Sequence, residues 1–127
     1  MLLKLDFGSQ IPVYQQIRNQ IVFGIANGEL KPGDKLPTIR ALASDAGINM
    51  MTANKAYQLL KQEGYIKADR RSGAVVSGEL PAKGLSDRAK EDLRLIICEA
   101  KLMGMGKKEF ILMCEQVFDN LEEMEEK

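Results

Sequence analysis

The chain has 127 residues, of which 45% are hydrophobic and 28% charged, and its formal net charge is zero. This length excludes a large multidomain enzyme, and the composition is that of a folded protein. Histidine and tryptophan are absent, which removes histidine-based triads, histidine-ligated zinc and haem sites and disfavours an all-β sandwich. We therefore predict no enzymatic activity, no metal site and no cofactor.

The chain begins with a segment that has the pattern of a strand followed by a helix. Residues 2–7 alternate apolar and polar side chains, as an edge strand does. Residues 12–27 are predicted to form a helix because apolar side chains recur every four positions. Residues 28–37 contain Pro32 and Pro37 and are predicted to be an extended connector.

A helix-turn-helix is predicted after this connector. Thr38 is suited to cap a short helix that ends near Ala46, and Gly47 interrupts the pattern. Asn49 is suited to cap a third helix, which continues to about Glu63. Two helices joined by a glycine-bearing turn are typical of this motif.

A basic hairpin follows the motif. Residues 65–69 and 74–76 read as two strands. The tip between them consists of Arg70, Arg71, Ser72 and Gly73. A hairpin in this position is a wing, so the first module is predicted to be a winged helix-turn-helix.

Charge changes sign near residue 80. Residues 1–80 carry ten Lys and Arg against seven Asp and Glu, a net +3, whereas residues 81–127 carry eight against eleven, a net −3. Residues 78–84 have no periodicity and read as a linker. We predict a DNA-binding domain over residues 1–78 and a linker with a two-helix region over 79–127. The fold class is mainly α with a small β-wing, ending in a C-terminal hairpin of two helices.

The two C-terminal helices are predicted over about 87–103 and 107–125. Their apolar surfaces are wider than one helix–helix contact covers, so they must pack on the first module, on a second copy of the chain, or on both. A homodimer is the simplest solution. Its predicted contact residues are Leu93, Ile96, Ile97, Ala100, Phe110, Met113, Val117, Phe118 and Leu121.

Five stretches of the first module carry a family resemblance. They are PVYQQI at 12–17, GELKPGDKLP at 28–37, RALA at 40–43, KAY at 55–57 and EGYI at 63–66. On these residues the chain resembles the GntR family of bacterial transcriptional regulators and, in length, its short YtrA-type branch. The resemblance implies a dimeric regulator whose second motif helix lies in the major groove of DNA.

The resemblance also assigns residues to DNA. Arg40 matches an arginine that contacts DNA at the start of the first motif helix. The groove-facing start of the recognition helix is matched by Asn49, Met50, Met51, Thr52 and Asn54. Asparagine can pair with adenine, whereas threonine and methionine can contact the thymine methyl group.

Phosphate contacts are predicted from the cationic side chains near this helix. They are Arg40, Lys55, Lys67, Arg70 and Arg71, and Ser72 and Gly73 complete the wing tip. The chain departs from the family pattern at two positions, because many relatives have an arginine in place of Met50 and a glycine in place of Arg71.

The two cysteines and the N-terminal segment bear on location. Cys98 and Cys114 do not form a CxxC pair, and they lie on apolar helix faces, where a thiol behaves as a small hydrophobe more often than as a redox switch. No apolar run reaches the length of a signal sequence or a membrane span. We expect a cytoplasmic protein without membrane contact.

Taken together, these features predict a homodimeric, sequence-specific regulator that binds a near-palindromic operator in double-stranded DNA. Repression is favoured, from the family and from simple occlusion. The alternative is a winged-helix module that binds proteins and not DNA. A small-molecule effector between the C-terminal helices or at the module boundary stays open, since no set of residues identifies one.

Overall fold

The computed structural model describes residues 3–70, 73–78 and 84–125. The chain divides into two compact units, Met1–Leu80 and Pro81–Lys127. The elements in chain order are α1 (Val13–Ala26), α2 (Ile39–Ala46), α3 (Met50–Gln62), β1 (Ile66–Asp69), β2 (Gly73–Val76), α4 (Asp87–Leu102) and α5 (Lys107–Glu125). The predicted winged helix-turn-helix with two C-terminal helices is confirmed.

Short polar side chains set the ends of the two motif helices. The Thr38 hydroxyl accepts a hydrogen bond from the backbone nitrogen of Ala41 at 3.0 Å, and the Asn49 side-chain carbonyl accepts one from Thr52 at 2.8 Å. Gly47 ends α2 with a φ of 68°, in the left-handed region that favours glycine. Both predicted caps are confirmed. They could be predicted from the sequence because a cap joins residues only three positions apart.

The core of the first unit lies between α1, α2, α3 and the base of the wing. Its fully buried side chains include Ile17, Ile21, Ala53, Ala56, Leu60 and Val76. On α3 the buried positions recur every three or four residues, so one face of this helix is fixed by apolar burial. The opposite face of α3 is left to solvent.

An ion pair joins α1 to the end of α3. Arg18 donates from Nε and Nη2 to the two carboxylate oxygens of Glu63, each at 2.8 Å. These hydrogen bonds raise the pKa of Arg18, against an opposing effect of burial. The Arg18 guanidinium also lies 5.7 Å from the centre of the Tyr65 ring. Such two-point pairing adds directional restraint to the apolar packing of the two helices.

The connector between α1 and α2 is part of the wing. β1 and β2 are antiparallel, with Ile66 opposite Val76, and Lys35 forms an isolated antiparallel bridge with Val75. The backbone nitrogen of Leu36 donates to the carbonyl of Ala74 at 2.9 Å. The predicted extended connector therefore also pairs with β2, on the side of β2 that does not face β1.

The edge strand predicted near the N-terminus is wrong for residues 3–7, which form no strand. Side chains of α1 pair with this backbone instead. Gln20 donates to the carbonyl of Lys4 at 2.6 Å and accepts from its amide at 2.9 Å, and Gln16 accepts from the amide of Asp6 at 2.8 Å. Alternating polarity indicated an extended chain, but a strand also needs a neighbouring strand.

The second unit consists of α4 and α5 and the turn between them. Ser86 caps α4 by accepting from the backbone nitrogen of Ala89 at 3.1 Å. The backbones of the two helices approach each other closely at few points, and no residue of α4 is buried. Within the part of the chain that is described, no helix is long and apolar enough to cross a membrane.

Candidate nucleic-acid interface

The exposed face of α3 lies on the side of the helix opposite the core of the first unit. Its core-facing side chains are Ala53, Ala56, Tyr57 and Leu60. The opposite face exposes Met51, Asn54, Lys55 and Gln58. The sequence of α3 contains no acidic residue, so nothing on this helix repels a phosphate backbone.

The start of α3 holds most of the predicted DNA contacts. Asn49, Met50, Met51 and Asn54 are exposed, whereas Thr52 is half-buried. The side-chain oxygen of Asn49 accepts from the backbone nitrogen of Thr52 and so holds the helix end. Thr52 lies at the edge of the exposed face, although the family resemblance places it among the groove-facing residues.

Lys55 has a partner that sequence reasoning did not find. Its Nζ lies 4.2 Å from the centre of the Tyr14 ring, which is within the range of a cation–π interaction. Tyr14 is in the first turn of α1, so this contact brings α1 beside the recognition face. No sequence spacing signals a pair that is so far apart in the chain.

The other predicted phosphate ligands lie at the ends of elements. Arg40 is exposed in the first turn of α2, and Lys67 and Arg70 are exposed on β1 and just after it. Gly73 begins β2 with a φ of 85°, which a residue with a side chain rarely adopts. The predicted contacts of Arg71 and Ser72 lie outside the described residues.

Tyr57 connects the recognition helix to the chain that enters α2. Its hydroxyl donates to the carbonyl of Pro37 at 2.6 Å, one residue before the Thr38 cap. Burial raises the pKa of Tyr57 to about 12. No sequence pattern signals this polar contact, which holds the start of α2 against α3.

Tyr57→Phe is expected to lower the free energy of unfolding by about 1 kcal/mol at neutral pH, because the Pro37 carbonyl loses its donor. In the unfolded chain Tyr57 ionises near pH 10, whereas the folded protein keeps the proton until about pH 12. Stability from this group therefore falls as pH rises between these values. Urea unfolding at pH 9 and pH 11 should show a smaller gap between wild type and variant at pH 11; equal gaps would contradict this assignment.

The predicted dimer contacts are all in the second unit. Six are exposed: Leu93, Ile96, Ile97, Met113, Val117 and Phe118. Three are half-buried: Ala100, Phe110 and Leu121. Between α4 and α5 lies an open apolar groove of about 600 Å³ that includes Leu93, Ile97, Phe110 and Cys114 in its lining. Cys98 is exposed outside the groove lining.

Similarity to known proteins extends over both units of the chain. Residues 13–76, from α1 to the end of β2, match the family described as bacterial regulatory proteins, gntR family. The HTH-type transcriptional repressor YtrA of Bacillus subtilis is 35% identical over 107 residues, which cover 82% of this chain and 82% of YtrA. The chain belongs to the GntR family.

Solved GntR structures agree with this assignment. YtrA from Sulfolobus acidocaldarius, described as a GntR-family transcription factor, is 44% identical with a TM-score of 0.59, covering 92% of this chain and 97% of that one. The DNA-binding domain of AraR in complex with operator ORE1 has a TM-score of 0.51 and 26% identity, covering 61% of this chain and 94% of AraR's domain. The residues that match the GntR family, 13–76, include α3 and the elements that pack against it.

The described residues contain no cluster of three or more Cys, Asp or Glu side chains that could hold a metal ion.

Proposed function

We propose that this GntR protein is a cytoplasmic transcriptional repressor that binds a near-palindromic operator as a homodimer and has no enzymatic activity. Residues 1–78 bind DNA, and residues 79–127 join two copies. The observation that supports this proposal is that one face of α3 is exposed and has no acidic residue. A helix fits the major groove and reads base edges with its N-terminal residues.

Base reading and phosphate binding are divided between different side chains. Asn54 is exposed one turn into α3 and is suited to pair with adenine through both groups of its amide. Arg40, Lys55 and Arg70 are exposed on the same unit and neutralise phosphates, which orients the protein without reading sequence. The net +3 of residues 1–80 supports this use of the first unit.

The dimer follows from the apolar surface of the second unit. Phe118 is 67% exposed and Ile97 is 40% exposed, and monomeric proteins rarely leave such a continuous apolar surface in water. A second copy covers these side chains and the groove between α4 and α5. Two copies related by a twofold axis then hold their recognition helices about 34 Å apart, one turn of the double helix.

Repression follows from occupancy of the operator. A dimer that spans two half-sites covers DNA that RNA polymerase would otherwise use, and YtrA of Bacillus subtilis is itself named a repressor.

Fluorescence anisotropy tests the DNA-binding proposal. A duplex selected from a random pool and a scrambled duplex are titrated at two salt concentrations. We expect tighter binding to the selected duplex and weaker binding to both at higher salt. Asn54→Ala should cost about 1–3 kcal/mol per half-site on the selected duplex only. Arg40→Gln should weaken binding to both duplexes and lower the salt slope by about one per subunit, which is about two for the dimer.

Lys90→Gln is the matched control for the loss of a charge, since Lys90 is exposed on α4 in the second unit. It should leave binding to both duplexes unchanged. Failure of the random pool to yield any selectively bound duplex would refute the proposed function.

A further inference from the structure

The first turn of α3 is apolar and uncharged on the side that faces DNA in the proposed complex. Met51 is 81% exposed and Met50 is 49% exposed. No residue from 48 to 54 carries a charge. The first cation along the helix is Lys55, and its ammonium group lies against the ring of Tyr14.

These side chains restrict which base edges the helix can read. Guanine is read mainly by arginine or lysine, whose donors pair with its two acceptors. Methionine has no N–H or O–H donor and only a weak acceptor. Thymine is the base that presents an apolar group, its 5-methyl, in the major groove, so thymine matches a methionine.

The two nearby asparagines have different roles. The side-chain carbonyl of Asn49 is held by the backbone nitrogen of Thr52, so this amide is not free to present both of its groups to adenine. Asn54 is exposed and lies three positions after Met51, on the same side of the helix. Met51 and Asn54 together therefore favour A·T base pairs.

We propose that Met51 determines specificity by contacting the 5-methyl group of a thymine, and that each operator half-site has a thymine where α3 enters the groove. This inference rests on the proposed function. It identifies the base that the start of α3 recognises as thymine. It also predicts that the start of α3 makes no contact with guanine, the base that a cationic side chain would read there.

Deoxyuridine substitution tests the inference by removing one thymine methyl group at a time. Each thymidine of the selected duplex is replaced singly by deoxyuridine, which removes only the 5-methyl group. At one position per half-site we expect wild-type binding to weaken about fourfold, the effect of losing burial of one methylene-sized group. All other thymidine replacements should have smaller effects.

Two variants of Met51 separate its apolar contact from its size. Met51→Gln has a similar length but a polar end and should bind the thymidine and deoxyuridine duplexes equally. Met51→Leu keeps an apolar end and should retain the difference. Because Met51 is exposed, neither variant should change the melting temperature, so a lost difference cannot be attributed to unfolding.

The outcomes distinguish this inference from the function on which it rests. Absence of any selectively bound duplex would refute the proposed function itself. Selective binding in which no deoxyuridine replacement weakens wild type, or in which Met51→Gln keeps the same sensitivity, would overturn the role of Met51 and leave operator binding intact.

Discussion

Ile97→Asp is expected to dissociate the proposed dimer and to weaken operator binding on the order of a hundredfold. Ile97 lines the apolar groove between α4 and α5, and a carboxylate placed there would lose its water when a second copy covers it. Once the copies separate, each half-site is bound by an independent head. The loss reflects the avidity of two linked heads, which is about 10²–10⁴.

Light scattering after gel filtration measures the dissociation, and anisotropy on the selected duplex measures the affinity. Gln116→Asp is the matched control because Gln116 is exposed on α5 and adds the same negative charge outside the groove lining. It should remain dimeric with wild-type affinity. A dimeric Ile97→Asp protein would mean that two copies associate through a different surface.

Leu60→Ala is expected to give the largest loss of folding stability. Leu60 is fully buried on the core face of α3, and a Leu→Ala change in such a position costs about 2–5 kcal/mol through lost burial and the cavity left behind. Native domains have only about 5–15 kcal/mol of total stability, so this variant should unfold at a markedly lower urea concentration.

Leu59→Ala provides the comparison, because Leu59 is the preceding residue and is only half-buried. We expect it to lose less than half as much stability, in proportion to the smaller apolar area removed from water. Equal losses in the two variants would show that α3 is not held by the face on which Leu60 lies.

Elements that depend on neighbouring residues were predictable from the sequence. The Thr38 and Asn49 caps and the extents of α4 and α5 follow from short polar side chains and from helical periodicity. The extended connector was also predictable, but its pairing with β2 was not. Local pattern fixes an extended conformation without identifying the strand that lies beside it.

Contacts between distant residues were the main omissions. Tyr14 with Lys55 and Tyr57 with Pro37 join segments separated by tens of residues, and no periodic pattern encodes such pairs. The predicted strand at residues 3–7 was wrong for a related reason. Gln16 and Gln20 of α1 form hydrogen bonds with the backbone of this segment, and no neighbouring strand in the described part of the chain pairs with it. Which residues contact DNA stays a prediction that the binding experiments test.

The pairing of the connector with β2 limits how the length of this protein can vary. Gly33 and Leu36 donate to the carbonyls of Val76 and Ala74, and Pro37 is held by Tyr57. One inserted residue between these points would shift the pairing and turn alternate side chains to the opposite side of the sheet. Insertions and deletions between Gly33 and Pro37 should therefore be selected against, even though this segment contains no long helix or strand of its own.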